Sequence, residues 1–190
     1  MERTLVLSAG GGALTWRRAA AIVAGTALVA AAAQVSIPLP GTPVPMTLQP
    51  LAVLLVGGLL GPGLGASSLL VYLALGAAGL PVFTPSVVLP PGVGRLFGPT
   101  GGYLLAYPVA AYAAGRLAGD GTRWGRVAAG VLVGLVFIHL GGLAQLLILT
   151  GSLARAAQFG TLPFLLGDLG KLAIAGLVLR RTIAPLRARL

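Results

Sequence analysis

The sequence predicts an all-α membrane protein, a bundle of six transmembrane helices with both termini cytoplasmic. Three observations carry this expectation. The mean hydropathy is +0.98. Charged residues make up 8% of the chain, where soluble domains carry about 25%. Apolar runs recur along the whole length, separated by Gly, Pro and Arg clusters. No polar stretch is long enough to build a soluble domain, so residues 1–190 read as one transmembrane domain.

A spanning helix takes about 20 apolar residues. The first span is expected over 19–35. Residues 1–15 read as a flexible tail, because their apolar run is short and Gly-rich, Trp16-Arg17-Arg18 interrupts it, and no signal peptide is evident. The second span covers 48–60, with Pro50 in its first turn where proline is tolerated. Gly61-Pro62-Gly63 breaks the chain before a third span over 64–78. The fourth covers 100–117, with Pro108 as a kink point, the fifth 127–149 and the sixth 161–179.

The cations test this count. An even number of spans puts Arg3, Arg17, Arg18, Arg116, Arg123, Arg126, Arg180, Arg181, Arg187 and Arg189 on one side, Arg95 and Arg155 on the other, and Lys171 within a span. By the positive-inside rule the first side is cytoplasmic. The net charge of +10 is then matched to anionic membrane lipids, and no nucleic-acid partner is expected. Asp120, among the cytoplasmic arginines, reads as a solvated loop charge. The localisation expected is a prokaryotic plasma membrane, crossed several times.

Other classes fall to composition. The chain has no cysteine and one histidine, which leaves no disulfide framework, thiolate metal site or multi-histidine metal site, and no cofactor is expected. There is no P-loop, so ATP hydrolysis must come from partners. Three acids, two of them outside the spans, offer no paired carboxylates for acid–base chemistry, so the chain is not read as an enzyme.

The two outward connections, 36–47 and 80–99, are rich in proline yet carry Val44, Met46, Val82, Phe83, Val87, Val88 and Leu89. They cannot be regular helix, and they are too apolar to be purely solvated. Irregular backbone at membrane depth is tolerated where it is buried in protein or lines a cavity. Both connections are therefore expected to fold onto the outer mouth of the bundle. Beneath them, about two turns into the sixth span, lie Asp168 and Lys171. Charges inside a span are costly and default to function. Their i, i+3 spacing puts them on one helix face, able either to neutralise each other or to meet a polar ligand. Mid-span His139 and Gln145 are expected to bond neighbouring helices.

Five stretches in order then carry a resemblance: Thr42-Pro-Val-Pro-Met-Thr-Leu-Gln49, Gly57-Gly-Leu-Leu-Gly-Pro62, Tyr72-Leu-Ala-Leu-Gly-Ala-Ala-Gly-Leu-Pro-Val-Phe83, Gly98-Pro-Thr-Gly-Gly-Tyr103 and Leu162-Pro-Phe-Leu-Leu-Gly-Asp-Leu-Gly-Lys171. Together they resemble BioY, the biotin-specific S-component family of energy-coupling-factor (ECF) transporters. The resemblance implies a six-helix S-component fold and a high-affinity biotin site on the outer side. It also implies three partners, an energising transmembrane subunit and two cytoplasmic ATPases, which reorient the whole bundle. In the family, the acid and base of the last-helix motif contribute to the polar part of the site, and these map onto Asp168 and Lys171. The loop 84–92 departs from the Gly-rich family pattern.

Biotin's chemistry fits the residues. Its carboxylate needs a cation, and both Lys171 and Arg95 are candidates. Its ureido ring offers N–H groups to Asp168 and hydrogen bonds to Thr47, Gln49 or Thr100. Its bicycle needs an apolar wall such as Phe83, Tyr72 or Tyr103. Thr47 can equally cap the helix after it. On the first span, Ala20/Ala24 and Ala27/Ala31 have small-xxx-small spacing, and in S-components such an alanine face resembles the docking surface for the energising subunit. Two other readings stay open: an S-component for another vitamin, and an autonomous ion-coupled carrier using Asp168 as a proton relay.

Overall fold

The computed structural model describes residues 6–86 and 88–188 and is mostly helical. Helix α1 runs Val6–Gln34, α2 Gln49–Leu60, α3 Pro62–Ala77, α4 Gly101–Ala118, α5 Trp124–Thr150, α6 Leu153–Gly160 and α7 Leu165–Arg187. Two short strands, β1 (Ser36–Ile37) and β2 (Met46–Thr47), pair antiparallel between α1 and α2. A 3-10 turn at Val93–Phe97 precedes α4, and another at Leu162–Phe164 precedes α7.

Three boundaries differ from the sequence expectation. Helix α1 already begins at Val6, so the stretch expected as a flexible tail enters as helix; it contains no proline to stop one. The sixth span is not one helix from 161. Pro163 sits in the opening positions of the 3-10 turn, α7 starts afresh at Leu165, and Asp168 falls in its first turn, so the acid is not two turns deep. At its far end α7 continues to Arg187 through Pro185, where the cations of its last turns suit the negative end of the helix dipole. Pro108 lies inside α4 without ending it. Of the apolar loop residues, Val87 lies outside the described ones, as do Arg3 and Arg189.

Turn chemistry sets the chain reversals. Gly61 has φ +86°, closes α2 by donating to Gly57 O, and hands over to Pro62 at the first position of α3. Gly151 ends α5 in the left-handed region at φ +65°, open to glycine without steric cost. Ser152 then caps α6 by accepting from the Arg155 N–H. At the opposite end, Asp120 accepts from the Thr122 N–H at 3.1 Å and hydroxyl at 2.8 Å. These bonds hold its carboxyl below the usual carboxylate range.

Side-chain exposure is inverted relative to a soluble protein. Leu166 is 86% and Ile148 78% exposed, with many other aliphatic side chains on the outer helix faces, while Asp168 and Lys171 are buried. Thr15–Gln34, Trp124–Thr150 and Leu153–Arg187 are long and apolar enough to cross a membrane; Gln49–Leu60 and Pro62–Ala77 are apolar but shorter.

The interior divides in two. One cluster, including Leu54, Ala114, Val131, Leu179 and Ile183, fills the end where α2 and α4 finish and α5 begins. The other, including Val53, Tyr72, Phe83, Tyr103 and Phe164, fills the end that carries the hairpin and α6. Between them α2 and α4 approach backbone to backbone. A Cβ at Gly57 would overlap the Ala111 carbonyl, and one at Gly115 the Gly57 carbonyl. Such contact is how helices associate where no hydrophobic drive separates lipid from protein.

Arg187 fastens the first end. Its guanidinium donates to Gly58 O and Gly119 O at 2.6 Å, Gly115 O at 3.2 Å and Leu59 O at 3.3 Å. One cation thus satisfies carbonyls at the C-termini of α2 and α4, which have no intrahelical partner. Arg187→Ala is expected to destabilise the fold by about 2–3 kcal/mol, the loss of charge-assisted bonds to buried carbonyls. Thermal unfolding in detergent measures it, and Arg181→Ala, on the same helix, is expected to change stability by less than about 0.5 kcal/mol.

Candidate binding site

The end opposite Arg187 holds a cavity enclosing ≈ 560 Å³ of atom-free space, its open mouth included. Each wall has a local cause. The hairpin β1–β2 turns the first proline-rich connection back over the bundle, burying Val44 and bringing Pro45 and Thr47 to the cavity. Thr42 holds that cover down by donating to Phe159 O on α6 at 2.6 Å. The second connection buries Phe83, Thr84 and Arg95. Gly76 on α3 makes room for the Phe83 ring, which a Cβ there would overlap. Helix α4 contributes Tyr103, Leu104 and Tyr107, α5 Ile138 and His139, and α7 Asp168 and Lys171, with Phe164 just before it.

Asp168 is the centre of the polar wall. Its Oδ1 accepts from Lys171 Nζ at 2.9 Å, and its Oδ2 lies 2.7 Å from His139 Nε2. The acid is 3% and the lysine 7% exposed. The two charges expected at the site therefore do bond each other, but beside a cavity and beneath both covers. His139 bonds a neighbouring helix as expected and also lines the cavity, while its Nδ1 is buried without a partner among the described residues. Gln145 reaches Phe97 O in the turn before α4 at 3.1 Å.

Arg95 is engaged differently. It is 5% exposed, donates to Thr84 O at 2.5 Å and Leu89 O at 3.1 Å, and leaves Nε buried without a partner among the described residues. Among the described residues no carboxylate pairs with it. A buried guanidinium held only by carbonyls still carries its full charge, and an anion is its natural complement.

Of the sequence candidates, Thr47, Gln49, Phe83, Arg95, Thr100, Tyr103, Asp168 and Lys171 line the cavity together. Tyr72 does not. It is fully buried behind Gln49, its hydroxyl receiving from Gln49 Nε2 at 2.7 Å and donating to Val82 O at 3.2 Å, with its ring edge-on to Phe83 at 5.3 Å. Tyr72 supports the wall, its phenol on α3 bridging the glutamine and the cover. Gln49 is largely spent too. Its Oε1 accepts from Thr84 at 2.7 Å and Thr47 at 3.3 Å. The N-cap of α2 is Leu48 instead of Thr47, whose hydroxyl accepts from the Gln49 N–H at 3.2 Å. Thr84, Tyr107, Ile138 and Phe164 are cavity residues that sequence reasoning passed over. Helical spacing held a signal for Tyr107, one turn beyond Tyr103 on the same face.

On α1, Ala24, Ala27 and Ala31 are exposed and Ala20 is half-buried. Ala20 and Ala24 border an apolar groove with Trp16, Leu28 and Leu59. The opposite face of α1 carries Thr26, which bonds Ser68 O at 2.9 Å, and Val29, packed in the core.

Comparison with known proteins agrees with this architecture. A family model described as the BioY family matches residues 4–188. A probable biotin transporter BioY of Pyrococcus horikoshii is 39% identical over 155 residues, 82% of this chain and 89% of that protein. The biotin transporter BioY of Thermotoga maritima is 37% identical over 156 residues, with the same coverage. The crystal structure of the S-component for biotin from an ECF-type ABC transporter superposes with a TM-score of 0.79 at 28% identity, covering 88% of this chain and 91% of that one. These relatives are transporters, not enzymes.

Breaking the buried pair separates structure from function at this site. Asp168→Leu leaves the Lys171 ammonium buried without its anion and is expected to cost about 3–5 kcal/mol of stability. The double variant Asp168→Leu/Lys171→Met removes both charges and is expected to recover most of that loss in the same unfolding measurement.

Proposed function

The chain belongs to the BioY family, and from that premise we propose that it is the biotin-binding S-component of an ECF-type vitamin uptake transporter in a prokaryotic plasma membrane. The observation that carries the reading is one cavity holding both an unneutralised buried guanidinium, Arg95, and a carboxylate, Asp168, already braced by a lysine and a histidine.

Biotin has complementary parts. Its valerate carboxylate goes to Arg95, since Lys171 is already bonded to an anion and Arg95 is not. A ureido N–H goes to Asp168, whose oxygens each keep a lone pair beyond the bonds they accept. The apolar bicycle and chain lie against Phe83, Leu104, Ile138 and Phe164. Thr100 and Tyr103 complete the rim, while Thr47 and Gln49 hold the cover. The Thr42–Phe159 and Arg95–Thr84 bonds keep both covers over the ligand.

In the membrane, α1 to α5 and α7 form six spans of one transmembrane domain, with both termini and the arginine-rich end cytoplasmic and in contact with anionic lipid head groups. The alanine face of α1, exposed Ala24, Ala27 and Ala31 with half-buried Ala20, meets the energising subunit. Two ATPases supply the energy for reorientation, as the resemblance implies.

Three measurements test these statements. Purified chain binds biotin, and thiamine or riboflavin does not compete; displacement by either reassigns the vitamin. Arg95→Gln weakens biotin about thirtyfold, as loss of a charge-assisted bond worth about 2 kcal/mol would, but leaves biotin carboxamide nearly unaffected. The same pattern in Lys171→Met instead moves the carboxylate to the lysine, and if Asp168→Asn with Lys171→Ala leaves biotin affinity within about twofold, less than the ~0.5 kcal/mol of a weak hydrogen bond, the site is wrong. The cysteine-free chain also allows a topology test: in intact cells an impermeant maleimide labels Ala154→Cys and spares Thr122→Cys, and the reverse result inverts the orientation.

A further inference from the structure

Three tyrosines are buried around the cavity, and two of their hydroxyls are spent. Tyr72 serves Gln49 and Val82, and Tyr103 donates to Gly160 O on α6 at 2.5 Å. Tyr107 is different. It lines the cavity one turn along α4 from Tyr103 and is 3% exposed, yet its hydroxyl has no hydrogen-bond partner among the described residues. Buried polar groups are satisfied in the great majority of cases, and a phenylalanine would fill the same space without a polar atom. An unpartnered O–H on a cavity wall is a hydrogen bond on offer to whatever enters.

The neighbouring walls narrow what that is. The cations of the site, Arg95 and Lys171, are the complement of an anionic group, and Asp168 is an acceptor for an N–H. A phenol adds one neutral donor to a wall that also carries Leu104, Ile138 and Phe164, which suits a neutral carbonyl. A cyclic urea presents this combination along one edge, with its C=O on the same carbon as its N–H groups. We propose that Tyr107 donates to the ureido carbonyl of the bound ligand while Asp168 accepts from the adjacent N–H, making Tyr107 a specificity-determining residue for the urea ring. The inference rests on the biotin reading above.

The test compares biotin with 2′-thiobiotin, whose sulfur is a weak acceptor in place of the ureido oxygen, in equilibrium binding to the full chain in detergent. The wild-type chain is expected to prefer biotin by about tenfold. Tyr107→Phe is expected to lose about tenfold in biotin affinity, to bind 2′-thiobiotin as the wild type does, and to unfold at the same temperature. A merely structural role would weaken both ligands together, and that result overturns the proposal. So does a Phe variant that still discriminates. Should the variant fail to fold, wild-type affinities equal for the two ligands overturn it as well. A wild-type chain that binds no biotin fails the functional reading itself, whereas one that binds biotin without using Tyr107 fails this inference alone.

Discussion

Asp168 shared between Lys171 and His139 is the interaction on which the site end of the molecule depends. A carboxylate left 3% exposed among apolar helices has little water to solvate it, and leaving it unpaired costs several kcal/mol. The chain meets that demand three times over. The acid stands in the first turn of α7, where the helix dipole favours negative charge. The lysine three residues on reaches it along the same face, and the histidine reaches it from α5. The last bond ties α5 to α7 at the level of the cavity floor, so the group most costly to bury also sets the spacing of two walls.

The same accounting separates groups that build the site from groups that face it. Gln49, Tyr72, Thr84 and Thr47 form a closed set of hydrogen bonds behind and within the covers. Arg95 fastens the second cover through two carbonyls and keeps its charge. One cover is therefore locked by a cation whose remaining donors look for an anion. An anion at Arg95, as proposed above, would sit on the side chain that holds Thr84 and Leu89 and would so couple ligand to cover.

Much of this was legible in the sequence. Hydropathy and arginine asymmetry place the helices and separate two ends, since bilayer thickness and membrane charge constrain composition directly. The mouth covers follow from proline, which forbids helix, combined with Val44 and Phe83, which forbid full solvation. Asp168 and Lys171 stand out because a charge in an apolar run is rare. What was not legible depends on three-dimensional neighbours. Spacing puts Tyr107 on the face of Tyr103, yet it does not tell that Tyr72 is a strut while Tyr107 faces the cavity. His139 is 29 residues from Asp168, and only the packing of α5 on α7 brings them together. The short α6 escaped because it is only eight residues long and lies in the connection between two apolar spans, where no transmembrane run marks it. The start of α7 shifted because Pro163 resets the helix locally.

The lower half of the bundle has a consequence of its own. Leu54, Ala114, Val131, Leu179 and Ile183 pack between its helices, α2 and α4 touch backbone to backbone at Gly57, and Arg187 seals the base. The hollow under the covers is thus a blind-ended cup and not a pore. A protein shaped this way can remain in a bilayer indefinitely, loaded or not, without short-circuiting the ion gradients on which the cell depends.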